Sequence, residues 1–461
     1  MARETLSADE RDRIERFVTD WLSDCRIPGA AVAVVRDGEV YAEGFGARDV
    51  ASNAPATPRT AYGVASVTKS FTALAVLQQV ERGAVALADP ITDVVDWYDA
   101  LDEPPTVHDL LCHGSGMPSD GASVALISRL VGGDAVEVPL SSPADTRRYV
   151  DGATPDRAEG DRFFYYNTGY TALGTLVERL DGRSFPEYVA GEILAPLGMD
   201  DAAVAPADFR EWDDAMTPYR PGEADREPCD LPVKGVGAAG GLAASVTDLA
   251  AYLRFQLDSE SGVVGSEDGT VISPDLLARA HEAHTVRQTY LDGSQQGYGY
   301  GWMRRSLFGE PLIEHGGSLG VSTAYVGFLP ESNTGIALAC NDSPEPHPQF
   351  LGPALLARLR DRPATATRYY ALRDRAERVA GEYESYRGIQ TATVEPDGGS
   401  IRVEFETALG GETVTAHPVS TETDDLRYET TAASGARVPL TFEPSDDGLD
   451  LFYQRWRMHP V

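Results

Sequence analysis

Ser66-Val67-Thr68-Lys69 opens a long apolar stretch that runs on through Leu74, Val76 and Leu77 and stops at Gly83. The stretch reads as one helix, and Ser66 at its start puts Lys69 one turn on, because side chains at i and i+3 share a helix face. A serine hydroxyl is a weak nucleophile until a neighbour accepts its proton. A lysine amine does this when burial and nearby positive charge lower its pKa from about 10.4. The helix start also directs backbone N–H groups, that of Ser66 among them, toward a developing oxyanion. The plain alternative is a capping serine followed by an exposed first-turn lysine, which the helix dipole disfavours. Composition bears on the choice: of 39 basic residues only Lys69 and Lys234 are lysines. In a chain so poor in lysine, each one left asks for a reason.

The same composition narrows the function class. Acidic residues number 72 and the formal net charge is −33, so nucleic acid and anionic membrane are repelled and neither is an expected partner. An acidic, lysine-poor chain looks like proteins from organisms with high internal salt, where screening relaxes self-repulsion; a GC-rich genome accounts for part of the arginine bias. No stretch approaches the roughly 20 apolar residues of a membrane-spanning helix. Met1-Ala2-Arg3-Glu4-Thr5 leads into a charged helix without the apolar core of a signal peptide, so the expected location is cytoplasmic. Cys25, Cys112, Cys229 and Cys340 lack the paired spacing of zinc or redox motifs and read as buried thiols.

Outward from the Ser66 helix, Ser7-Ala8-Asp9-Glu10 is a capping box heading an amphipathic helix that ends near Cys25. Ala30–Val35 and Val40–Phe45 read as a hairpin around 36–39. Residues 160–260 read as mostly helical, and strands return at 312–340, with Ala324–Phe328 and Gly335–Ala339 clearest. Early and late strands around a helical middle imply one sheet built from both ends of an α/β domain. Near 362 the character changes: one helix (about 366–380) precedes short strands, with Ile401, Val403 and Phe405 alternating against Arg402, Glu404 and Glu406 after a turn at 396–399. Strand-like runs at 412–417, 425–430, 437–443 and 448–456 complete the pattern of a sandwich or barrel. The reading is residues 1–362 as one domain and 363–461 as an all-β second.

Two further clusters have chemical potential. Tyr165-Tyr166-Asn167 can present a phenol as a proton shuttle and an amide to a carbonyl, although aromatic packing with a turn asparagine is the simpler reading of the tripeptide alone. Glu314-His315-Gly316-Gly317-Ser318 lets a substrate backbone lie along a strand edge, with the Ser318 N–H as an oxyanion donor; alone, it reads as a plain loop.

Ser-x-x-Lys, then Tyr-x-Asn about a hundred residues on, then a polar-x-Gly strand some 150 further, resembles the serine β-lactamase and penicillin-binding-protein superfamily. The Tyr and His-x-Gly forms look like its class C β-lactamase and D-aminopeptidase branch (peptidase family S12). Pro28–Val35, Leu110–Pro118, Ala239–Leu242 with Thr247–Leu249, and Tyr298–Trp302 are similar to that branch as well, so the resemblance covers roughly 8–360. It implies an antiparallel sheet flanked by helices plus a helical subdomain. It also implies Ser66 as nucleophile, Lys69 and Tyr165 sharing its proton, and Asn167 binding the substrate carbonyl or amide. The N–H groups of Ser66 and Ser318 form the oxyanion hole, and His315, Gly316 and Gly317 line the site. No metal or cofactor is required. His315 replaces the lysine of a β-lactamase and removes a cation that would bind a carboxylate, which points to a small peptide, amide or ester as substrate. Gly381-Glu382-Tyr383 and Tyr386-Arg387-Gly388 look similar to the start of a lipocalin-like domain found in some members, which could bind a ligand, cover the cleft or build a homo-oligomer. A slow or non-catalytic penicillin-binding sensor and a true β-lactamase are the alternatives. His281-Glu282-Ala283-His284 lacks the spacing of a zinc motif, His113 reads as structural, and Lys234 as an exposed lysine near a Gly-rich stretch.

Overall fold

The computed structural model describes residues 6–99, 101–119, 121, 127, 162–220, 227–233, 236–258 and 271–461. Lys234 lies outside the described residues. The chain forms two compact units, Met1–Gln288 with Gln295–Leu356, and Thr289–Ser294 with Ala357–Val461; the sequence reading had put the change at 362/363.

Helix α1 (Ala8–Cys25) starts at the expected capping box, with Ser7 Oγ accepting the Glu10 N–H and the Glu10 carboxylate accepting the Ser7 N–H. Strands β1 (Gly29–Arg36) and β2 (Glu39–Asp49) form the expected hairpin, extended by the short β3 (Ala54–Pro55). They join strands from the far end of the unit in one nine-stranded sheet of order β3-β2-β1-β12-β11-β10-β9-β8-β7. Strands β4 (Tyr62–Gly63), β5 (Ala203–Val204) and β6 (Leu242–Ala244) form a separate small sheet, and in the large one β7 is Thr285–Thr289, β8 Gln295–Tyr298, β9 Met303–Leu307, β10 Glu310–Ser318, β11 Thr323–Leu329 and β12 Thr334–Cys340. β1 pairs antiparallel with β12, Val32 opposite Leu338, so the two ends of the unit meet at the centre of the sheet. β1, β11 and β12 are buried along almost their whole length, which fits their unbroken apolar sequences and a sheet covered on both faces.

Strands β7–β9 were not anticipated. β7 (Thr-Val-Arg-Gln-Thr) is polar and largely exposed, and β8 (Gln-Gln-Gly-Tyr) is polar though buried beyond Gln295, so no apolar alternation marks this edge of the sheet. Helix α2 (Thr68–Glu81) is buried from Thr68 to Gln79 and thus on all its faces, as a central helix must be. It packs against α4 (Asn167–Asp181) and α5 (Gly237–Gly240), α3 being Val107–Leu111. Gly174 permits the α4–α5 approach: a Cβ there would lie 2.5 Å from that of Ala238. Helix α6 (Val246–Leu257) lies on β1 and β12, and α7 (Pro348–Arg358) follows β12.

The second unit carries a closed barrel of eight strands in chain order, β13 (Gly381–Glu384), β14 (Gln390–Asp397), β15 (Ser400–Thr407), β16 (Gly410–Pro418), β17 (Arg427–Thr431), β18 (Arg437–Ser445), β19 (Gly448–Tyr453) and β20 (Trp456–Pro460). Pairing of β13 with β20 closes it and leaves no free edge. Ile401, Val403 and Phe405 point inward as their alternation required, while Arg402 pairs outside with Glu395 and Glu404. The run read as one strand over 448–456 is a hairpin, turned at Gln454, which adopts φ 50°.

Helix α8 (Arg368–Val379) contributes Ala376 and Val379 to the barrel core and carries Arg375, which is 1% exposed. Arg375 Nη1 donates to the carbonyls of Ser420 (2.8 Å) and Glu422 (2.7 Å), and the guanidinium lies 5.6 Å from the Tyr428 ring. Those bonds hold the loop before β17 to the helix. Arg375→Ala is expected to lower the stability of the barrel by about 2–3 kcal/mol, the scale of charge-assisted hydrogen bonds lost in a buried setting. Denaturant unfolding followed by barrel fluorescence measures it, and a loss under about 0.5 kcal/mol would contradict this account.

Candidate active site

Within Ala61–Gln79 every residue but Ser66 is buried. Ser66 sits in a short 3-10 turn (Ala65–Val67) that runs into α2, rather than in the helix proper as the sequence suggested. The turn is presented by Ala65, whose φ of 51° is a left-handed conformation that costs a non-glycine residue about 1–2 kcal/mol. Thr68 secures it: its hydroxyl donates to the Ala65 carbonyl (2.5 Å) and accepts the Leu242 N–H (3.0 Å), tying the serine turn to the Gly-rich segment at 237–242.

Lys69 is fully buried, and its Nζ lies 3.1 Å from Ser66 Oγ, 2.7 Å from Asn167 Oδ1 and 2.7 Å from the Ala239 carbonyl. Among the described residues no carboxylate pairs with it. Burial holds the Lys69 amine well below the usual lysine range. The faces of Tyr165 and Tyr170, 4.8 and 5.4 Å away, favour the cation but offset little of that loss of hydration. A neutral amine has two N–H donors and one lone pair. Asn167 and Ala239 take the donors, which leaves the lone pair for the Ser66 hydroxyl.

Tyr165 approaches from the other side, its phenol hydrogen-bonded to Ser66. Burial pushes its pKa upward despite that bond, so the resting group is a phenol and not the phenolate a base would need. His113 holds the tyrosine segment in place. Its carbonyl accepts the Phe164 N–H (3.0 Å), its Nδ1 accepts the Tyr166 N–H (3.1 Å), and its ring packs 4.4 Å from that of Tyr165. The acceptor role of Nδ1 puts the proton on Nε2, and burial keeps the ring neutral. His113 itself adopts φ 60°. The residue that His113 supports is the one bonded to Ser66.

Asn167 opens α4 directly after this segment; with Oδ1 on Lys69, its Nδ2 is the atom left for a ligand. On the sheet side, β10 brings His315–Ser318 to the serine turn. A Cβ on Gly317 would collide with the Val64 carbonyl and stand 2.7 Å from Ser66 N, so only glycine lets the strand come this close. Pairing of β9 with β10 ends at Glu314–Met303, leaving the edge of His315–Ser318 on that side open for an extended ligand. His315 is buried; its Nδ1 bonds to the Gly316 carbonyl (2.7 Å), so Nε2 accepts the Tyr298 hydroxyl (3.0 Å), and burial pushes its pKa down to about 3. Ser318, at the exposed end of β10, has its Oγ 3.2 Å from the Gly320 N–H.

The fold thus gathers Ser66, Lys69, Tyr165, Asn167 and the His315–Ser318 strand. Thr68, His113 and Tyr298 complete the arrangement; the tyrosine stood in the Tyr298–Trp302 run, but nothing in the sequence gave it a bond to His315. Gly301 of the same run, at φ 74°, faces the Lys69 carbonyl so closely that a Cβ would lie 2.6 Å from it. His281 lies apart, bonded to Gln256 Oε1 (2.7 Å).

Comparison with known proteins places the chain in a family. Residues 363–459 match the Pab87 octamerisation domain model. The chain is 25% identical over 357 residues to Protein flp of Staphylococcus aureus (strain COL), covering 75% of this chain and 66% of that protein. It is 32% identical over 295 residues to a D-aminopeptidase of Gluconobacter oxydans (strain 621H), covering 63% of this chain and 51% of that one. It thus spans less than two thirds of the length of these relatives. The octameric penicillin-binding protein homologue from Pyrococcus abyssi has a TM-score of 0.85 at 32% identity, over 97% of this chain and 99% of that one. A penicillin-binding protein from Bacillus halodurans shares the fold at 22% identity and a TM-score of 0.58, over 73% and 95% of the two chains. Since the Beta-lactamase family model matches residues 11–360, the whole stretch that carries the serine turn, the Tyr165 segment and β10, the chain belongs to the β-lactamase family, whose members are generally serine hydrolases.

Proposed function

We propose that this protein is a serine hydrolase that acts through an acyl-enzyme on a small peptide, amide or ester. The observation that carries this reading is the Lys69 amine, buried, free of any carboxylate partner among the described residues and 3.1 Å from Ser66 Oγ. Lys69 takes the Ser66 proton as Oγ attacks the substrate carbonyl, whose oxygen is received by the N–H groups of Ser66 and Ser318. Asn167 Nδ2 orients the substrate. Tyr165, a neutral phenol in contact with both Ser66 and Lys69, relays the proton to the leaving group. Water then attacks the acyl-enzyme with Lys69 again accepting a proton, which passes to Ser66 Oγ as the C–Oγ bond breaks and the acid product leaves. A neutral His315 places no cation at the position where a β-lactamase has its lysine. The likeness to an octamerisation domain and to an octameric homologue supports self-association of this chain through its barrel. Four free thiols are compatible with the reducing cytoplasm read from the sequence.

A fluorophosphonate is expected to add once to the wild type and not to Ser66→Ala, as read by intact mass in high salt. An adduct that persists in the variant puts the nucleophile elsewhere, and none on folded wild type favours a non-catalytic binding protein. Gly317→Ala drives β10 off the serine turn and is expected to slow acylation by at least about a hundredfold, the scale of losing an oxyanion donor.

Burial of Lys69 also fixes a pH dependence. The unfolded chain holds a proton on this lysine below about 10.4, whereas the folded chain does not until much lower pH. Stability therefore rises with pH across that window and the penalty grows as pH falls. Between pH 8 and 9.5, wild type is expected to gain on Lys69→Met by up to about 1.4 kcal/mol per pH unit. A flat difference would mean that Lys69 is a cation in the fold.

A further inference from the structure

The site lacks a cation at His315 but has one nearby. Arg287, on β7, is half-buried, and its Nη1 donates to Gln296 Oε1 (2.7 Å) and lies 3.0 Å from Met303 Sδ. Met303 is the cross-strand neighbour of Tyr298 and of Glu314, and Tyr298 is the tyrosine bonded to His315. Two residues before Arg287, Thr285 donates to the Cys112 carbonyl (2.7 Å), fastening β7 to the turn that presents His113. Burial governs the protonation of His113, Tyr165, Tyr298 and His315, and the positive charge of Arg287 adds a smaller push against a proton at each.

In a chain with 72 acidic and 39 basic residues, an arginine ordinarily finds a carboxylate. Arg287 has none among the described residues. Glu314 is joined to the same Gln296, but its two oxygens are taken by Arg305 (2.6 and 3.2 Å) and by the Tyr325 hydroxyl (2.9 Å). Arg287 is thus a half-buried guanidinium with one nitrogen on neutral partners, 3.0 Å from the sulfur of Met303, the cross-strand neighbour of Tyr298. Such a group recognises a carboxylate. Every side chain on which its charge acts borders Tyr165, the ring centroids of His113, Tyr298 and His315 standing 4.4, 6.4 and 6.5 Å from that of Tyr165. Tyr165 is the group proposed to hand a proton to the leaving group, so a carboxylate held by Arg287 lies on the leaving-group side of the scissile bond.

We propose that Arg287 is a specificity-determining residue of this site, binding a carboxylate carried by the leaving group of the acyl substrate. The inference rests on the serine-hydrolase reading. It restores, from a different strand, the cation that His315 does not provide.

The test compares hippuryl-thioglycolate, a thioester whose leaving thiol bears a carboxylate, with its methyl ester. In both, Ser66 Oγ forms the acyl bond as the C–S bond breaks, the thiol leaves with the proton from Ser66, and water releases hippurate. The readout is the ratio of the two kcat/KM values, because a general loss of activity divides out of it. The net charge of −33 repels anions, so a preference for the free acid has to come from a local cation. Wild type is expected to favour the free acid at least tenfold. Arg287→Gln is expected to bring the ratio to within about twofold of unity, Arg287→Glu to invert it and Arg287→Lys to keep part of it. A wild-type ratio near unity, or a preference that survives in Arg287→Gln, overturns the proposal while the hydrolase reading stands. Failure of wild type to cleave either thioester or p-nitrophenyl acetate overturns both.

Discussion

Withdrawal of one amine from water is the constraint on which this site depends. Lys69 stands on a helix that has no exposed side, and burial is what lowers the pKa of its amine toward that of the base proposed for it. Burying a lysine costs free energy unless the group becomes neutral and its remaining donors are satisfied. Asn167 Oδ1 and the Ala239 carbonyl satisfy them, and those partners belong to the helix after Tyr165 and to the Gly-rich turn at 237–240. Much of the helical region is therefore arranged around a single nitrogen.

Close backbone approach is the second condition. Ala65 is held left-handed, Gly317 admits β10 to within contact of the serine turn, and Gly301 lies against the Lys69 carbonyl. Each is a place where a side chain would push the parts of the site apart. The strain at Ala65 is offset by the surrounding core and by the two hydrogen bonds of Thr68. Charge is managed with equal economy: burial keeps His113 and His315 neutral and leaves Tyr165 its proton.

The barrel follows simpler physics. Eight strands in chain order close on themselves, apolar residues fill the inside, and the charged alternates pair along the outside. Its periodicity was plain in Ile401, Val403 and Phe405, while the turn at Gln454 was not, since a left-handed glutamine has no sequence signature.

What the sequence determined by itself was whatever repeats at short range: the capping box of α1, the buried strands β1, β11 and β12, the apolar α2 and the alternation of β15. Each is set by local propensity and burial pattern. Ser66, Tyr165, Asn167 and His315 were singled out by their motifs, which mark positions without giving distances. Only the tertiary structure decided that Lys69 faces no carboxylate among the described residues, that Asn167 spends its oxygen on that amine, and that His113 grips the Tyr165 segment from both sides. The edge strands β7–β9, polar and poorly patterned, exist because the sheet offers them a partner. The pKa of a group and the closeness of two backbones depend on everything packed around them. That surrounding comes from residues up to some 250 positions away, as with Gly317 against the Ser66 turn, and no local pattern encodes it.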